Sequence, residues 1–159
     1  MTSQDDSPVP ELGLVDALAQ LSFLVYNALA EVAAQHDLSI IQTRLLGVLR
    51  DRGPTMNELG RHLGLDKSSI SGLVDRAQRR GLVERTVSAL DRRAFQVSIT
   101  DAGRQLADRV AAKFTERIET AVAPLPEADR RLLSRLAAQI VAGHDPGARA
   151  GTGGVVLGG

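Results

Sequence analysis

Residues 63–103, LGLDKSSISGLVDRAQRRGLVERTVSALDRRAFQVSITDAG, change periodicity twice, and those changes decide the fold. Asp66 stands where a helix N-cap belongs, and helical spacing continues behind it to about Arg80. Gly81 then occupies the position after a helix that favours a left-handed residue. "LVERTV" (82–87) and "FQVSIT" (95–100) are short and rich in β-branched residues, and Phe95, Val97 and Ile99 alternate with polar neighbours. This predicts two strands, the second with one buried face, joined by a loop whose tip carries Asp91, Arg92 and Arg93. Thr100 or Asp101 next caps a long helix on which Leu106, Val110, Phe114, Ile118 and Val122 recur every four residues.

Working back towards the N-terminus, Thr55 and Glu58 form a capping-box pattern for a short helix that breaks at Gly64. A short helix, a Gly-containing turn and a longer helix in succession make a helix-turn-helix. Ser39 and Gln42 repeat the box for the preceding helix, which Gly53-Pro54 stops. Apolar residues at 14, 18, 21, 25, 28, 29 and 32 predict a long first helix from Leu12 to about Gln35. Towards the C-terminus, a sixth helix follows Pro126, with Leu132, Leu133, Leu136 and Ile140 on one side. Residues 1–10 read as a flexible arm, and 143–159, with six glycines after residue 143, as a disordered tail.

At 100° per residue, Ile70, Leu73, Val74 and Ala77 of the fourth helix fall within about one quarter-turn of each other. Ser68, Gly72, Asp75 and Arg79 lie opposite, flanked by Ser69, Ser71 and Arg76. That outward face is small near its N-terminus and basic towards its end. Such a shape suits the DNA major groove, where hydroxyls and guanidinium groups meet base edges and phosphates. Free N–H groups around Lys67–Ser69 offer a second phosphate site.

The charge distribution agrees with a polyanion partner. The chain of 159 residues has 19 basic and 19 acidic side chains, but most of the basic excess sits in its middle. Residues 52–93 hold 9 basic against 5 acidic, while residues 1–51 hold 2 against 7. Two adjacent arginines at a hairpin tip suit a wing that reaches along the duplex. There Asp91 orients Arg93 by a charge-assisted hydrogen bond, and Arg92 or Arg93 meets the minor groove and its phosphates.

With these features in place, the sequence resembles the MarR family of bacterial transcriptional regulators. "SSISGLVDR" matches the family's recognition-helix core, and "RRGLVER", "DRR" at the wing tip and "VSITDAG" follow in the family's order. The resemblance spans roughly residues 12–142. It implies a mainly α fold with a small β-hairpin: a winged helix-turn-helix over 39–100, with dimerisation helices over 11–38 and 101–142. It also implies a homodimer on double-stranded DNA and a small-molecule effector of unknown identity. One departure is Gly72, where many members carry a longer polar or basic residue.

The bulk composition excludes several classes. With no cysteine there is no disulfide framework and no thiol sensing, as in the family's peroxide-sensing branch. His36, His62 and His144 form no pair at metal-ligand spacing, so neither a metal nor another cofactor is expected. No nucleophile-elbow, zinc-protease, P-loop or dinucleotide-binding motif is present, and no enzyme is expected. No membrane span is expected, and the acidic start without an apolar leader makes a cytoplasmic setting the expectation.

The predicted DNA-reading set is Lys67, Ser68, Ser69, Ser71, Gly72, Arg76 and Arg79, with Arg92 and Arg93 on the wing. Phe23 and Tyr26 are candidates for an effector cleft. The rival reading is a winged-helix dimer that binds a protein or ligand without specific DNA recognition.

Overall fold

Short polar signals set the bends of the chain. In the computed structural model, which describes residues 11–87 and 95–144, the elements follow the expected order. They are α1 (Leu14–Ala34), α2 (Ile40–Asp51), α3 (Met56–Leu63), α4 (Lys67–Arg79), β1 (Val83–Val87), β2 (Phe95–Ile99), α5 (Asp101–Val122) and α6 (Glu127–His144). The arm, the tail and the wing tip with Asp91, Arg92 and Arg93 lie outside the described residues.

Both capping boxes form. Ser39 and Gln42 exchange hydrogen bonds at the start of α2, and Thr55 and Glu58 do so at the start of α3. Gly64 ends α3 in the left-handed region at φ 67°, and Gly81 follows α4 at φ 69°. A side chain at either position would be strained, which is why glycine marks these two ends. α6 continues to His144, beyond the expected boundary at residue 142. A lone glycine such as Gly143 costs a helix only about 1 kcal/mol and does not stop it.

The core lies where the winged helix meets the long helices. Leu45, Leu46 and Leu49 of α2, Leu59 of α3, Leu73 and Val74 of α4 and Val97 of β2 are all essentially inaccessible. Val32 and Ala33 of α1 and Leu106 and Val110 of α5 close the same cluster. β1 and β2 pair antiparallel, from Val83 opposite Ile99 to Val87 opposite Phe95. Behind them, Pro54 accepts the Val97 N–H at 3.0 Å, so the α2–α3 connection anchors the middle of β2.

The expectation that Phe95, Val97 and Ile99 share one buried face holds for Val97 and partly for Ile99. Phe95 is 53% exposed, and its partner Val87 57%. The ribbon leaves the core as it extends, so its outer pair stays more than half exposed.

α1 and α6 are poorly covered. Leu14, Val15, Phe23, Leu24 and Tyr26 on α1, and Leu132, Leu136, Ile140 and Val141 on α6, are exposed. An 18-residue stretch of α1 reaches a mean hydropathy of 1.4, so by length and composition this helix could cross a bilayer. Its leucines and valines give it that average, and helices that pack within a protein share the property, so it does not mark α1 as a membrane span. α1 packs through Val32 and Ala33 onto the core, and Glu31 pairs with Arg117 of α5.

α5 joins the hairpin at close quarters. A Cβ on Gly103 would run into the Leu82 carbonyl and come within 2.9 Å of Ile99 Cγ1. Backbone cannot yield as a flexible side-chain tip can. Gly103→Ala is therefore expected to destabilise the fold by about 1–3 kcal/mol or more. Urea denaturation checks this, and an unchanged midpoint would contradict the packing.

Candidate nucleic-acid interface

α4 buries Ile70, Leu73, Val74 and Ala77 as the spacing predicted, which turns the small and basic residues outward. Its start is held by Asp66. One carboxylate oxygen accepts the N–H groups of Ser68 and Ser69 at 2.9 Å each and the Ser68 hydroxyl at 2.8 Å; the other accepts the Ser69 hydroxyl at 2.7 Å. The hydrogen bonds from Ser69, then those from Ser68, hold this carboxyl far below the ordinary carboxylate range.

This corrects the expectation of a phosphate site on free N–H groups around Lys67–Ser69. The N–H groups of Ser68 and Ser69 are already satisfied, and the anion that satisfies them would repel phosphate. The two hydroxyls are likewise engaged as donors, leaving their lone pairs to face outward as acceptors.

The cations divide into two groups. Lys67, Arg76 and Arg79 are exposed and make no hydrogen bond or ion pair among the described residues. Arg85 and Arg80 are committed internally. Arg85 of β1 pairs with Asp75 of α4 at 2.6 Å and donates to the Ser71 carbonyl at 3.3 Å. Asp75 thus faces the hairpin, and it fastens the wing's first strand to the middle of α4. Ser71 is half-buried, and its carbonyl serves the same fastening.

Gly72 gives room to Arg76. A Cβ at position 72 would lie 3.2 Å from the Arg76 guanidinium, so that side chain runs back along the helix over the gap. Ser68, Ser69, Gly72 and Arg76 line an open cleft of about 300 Å³, floored by Ile41, Leu65 and Leu73. Lys67 and Arg79 lie outside the cleft lining. The departure at Gly72 therefore reshapes the arginine's position rather than simply deleting a contact.

Of the two effector-cleft candidates, Tyr26 lines an open groove of about 520 Å³ between α1 and α2, while Phe23 does not. The groove is apolar (Leu18, Leu21, Val25, Leu29, Ile40) with one cation, Arg44, which sequence reading missed. Arg85 was also missed, although it left a signal: it shares a strand face with buried Val83. Among the described residues, no cluster of three or more histidine and acidic side chains is disposed to hold a metal.

Comparison with known proteins agrees with this geometry. The family model described as "MarR family" matches residues 36–94. The chain is similar to the HTH-type transcriptional regulator PecS of Dickeya dadantii, with 25% identity over 139 residues, 85% of this chain and 84% of that protein. It shares 31% identity over 106 residues with the HTH-type transcriptional repressor NicR of Pseudomonas putida, covering 65% of this chain and 67% of NicR. Among solved structures, S. aureus MepR in complex with DNA superposes with a TM-score of 0.67 at 22% identity, over 84% of this chain and 99% of that one.

The Asp66 cap gives a pH test. A carboxylate with a folded pKa below its ordinary value of 3.8 adds stability that is fully present above that value. The contribution is lost as pH falls further, towards the depressed folded value. Asp66→Asn is expected to lower the melting temperature at pH 7 and to flatten its fall below about pH 4. Thermal melts across pH 2–7 check this, and parallel curves for both proteins would contradict it.

Proposed function

The chain belongs to the MarR family of winged-helix transcriptional regulators, and on that premise we propose that it binds a pseudo-palindromic operator as a homodimer. The observation that carries this reading is the outward face of α4, where small residues precede cations that no described residue engages. On a helix fastened at its start by Asp66 and at its middle by Arg85, such a face is preorganised for the major groove. Arg76 over Gly72 is suited to a base edge, and Lys67 and Arg79 to flanking phosphates.

Exposed apolar residues on α1 and α6 support the dimer, since a second copy would cover them and present two recognition helices with two-fold symmetry. Arg92 and Arg93, oriented by Asp91, extend the contact into the adjoining minor groove. Repression follows where the operator overlaps a promoter, and NicR carries the name of a repressor. The groove with Tyr26 and Arg44 suits an apolar effector bearing one negative charge, which would act through unequal affinity for DNA-competent and incompetent spacings.

The direct test is a fluorescence-anisotropy titration with DNA from upstream of the protein's own gene, against a scrambled duplex, over a series of salt concentrations. A dimer neutralising six or more phosphates gives a log K against log salt slope of about −5 or steeper. Arg93→Ala is expected to weaken binding by about 1–3 kcal/mol while leaving the melting temperature unchanged. Equal, weak binding to both duplexes would favour the rival module without specific DNA recognition.

A further inference from the structure

Arg80, the residue at which α4 ends, does not face the proposed DNA surface. Its guanidinium reaches across 43 positions of sequence and donates to the Asp37 carbonyl at 2.7 Å and to the His36 carbonyl at 3.3 Å. Those carbonyls belong to the C-terminal turn of α1. There the Ala33 carbonyl accepts the N–H groups of His36 and Leu38, and Asp37 sits in the left-handed region at φ 54°. A non-glycine residue held in this conformation is uncommon and needs support from its surroundings. The cation also lies at the negative end of the α1 dipole, so the contact is favoured by charge as well as by direction.

We infer that Arg80 is a positioning residue, fixing the exit end of the recognition helix to the end of α1 and thereby setting the distance between the two recognition helices of the dimer. The inference rests on the proposed operator binding. If α1 is part of the dimer's core, its C-terminal turn is stationary in the dimer frame. Two guanidinium hydrogen bonds to adjacent carbonyls then fix both the position and the rotation of the α4 end, which one bond would not. Arg85 fastens α4 to the wing, but only Arg80 among the two ties it to a dimerisation helix.

Operators of altered half-site spacing provide the test. Inserting or deleting one central base pair turns one half-site by about 35° and shifts it about 3.4 Å. The wild-type protein is expected to lose about tenfold in affinity for either change, the scale of one lost base contact. Arg80→Ala is expected to reduce that penalty to about threefold or less, while its ranking of half-site sequences stays the same. Arg80→Lys, which keeps a donor but loses the paired geometry, should fall between them. Arg79→Ala provides the contrast, lowering affinity by the same factor at every spacing.

If Arg80→Ala behaves like Arg79→Ala, with spacing discrimination intact, the assignment is overturned. Should Arg80→Ala fail to fold, Arg80→Lys and Arg80→Gln carry the same comparison, and unaltered discrimination in both overturns it equally. A wild-type protein with no preference for its operator overturns the regulator reading itself, a different result from preserved discrimination in the variants.

Discussion

The close approach at Gly81, Leu82 and Gly103 is the constraint on which the rest of the structure depends. Leu82 donates its N–H to the Ala77 carbonyl, which ends α4, and accepts the Thr100 N–H, which closes the hairpin. The Thr100 hydroxyl bonds the Gly81 carbonyl at 2.7 Å and also caps α5 through the Gly103 N–H at 3.0 Å. Recognition helix, wing and first long C-terminal helix therefore meet through the Leu82 backbone and the Thr100 hydroxyl, at a spacing that requires glycine at position 103. With rotation between them suppressed, the side chains on α4 and the ribbon keep a fixed relation to the long helices.

Around that junction, the middle segment's charges are spent in two ways. Asp66, Asp75, Arg85 and Arg80 are consumed in fixing α4 at its start, middle and end. Each is exposed or half-buried, so its value lies in direction more than in bulk stability. Lys67, Arg76 and Arg79 remain for a partner. An even whole-chain charge balance conceals this, because the acidic excess sits in residues 1–51.

The helices, their caps and the hairpin were legible because each rests on a local rule: Ser39 with Gln42, Thr55 with Glu58, Asp66 before α4, and Gly64 and Gly81 after helices. The buried face of α4 followed from spacing alone. What sequence reading lost were contacts between distant segments. Asp75 was placed on the open face because a helical plot has no knowledge of Arg85 on the next strand. Arg80 gave no sign at all, since its partners are backbone carbonyls from another helix. The N–H groups of Ser68 and Ser69 look free only if the cap is overlooked, since Asp66 in the N-cap position engages both. Phe95 was expected inside because alternation marks a face without saying how far the core extends beneath it.

In the proposed function, α4 reads DNA in a pair that the exposed apolar faces of α1 and α6 hold together. Hydroxyl-radical footprinting on the DNA upstream of the gene tests that claim most directly. Two protected patches related by pseudo-two-fold symmetry are expected, their centres about 10 base pairs or a multiple of that apart. A single unsymmetrical patch, or none that competitor DNA fails to remove, would contradict it.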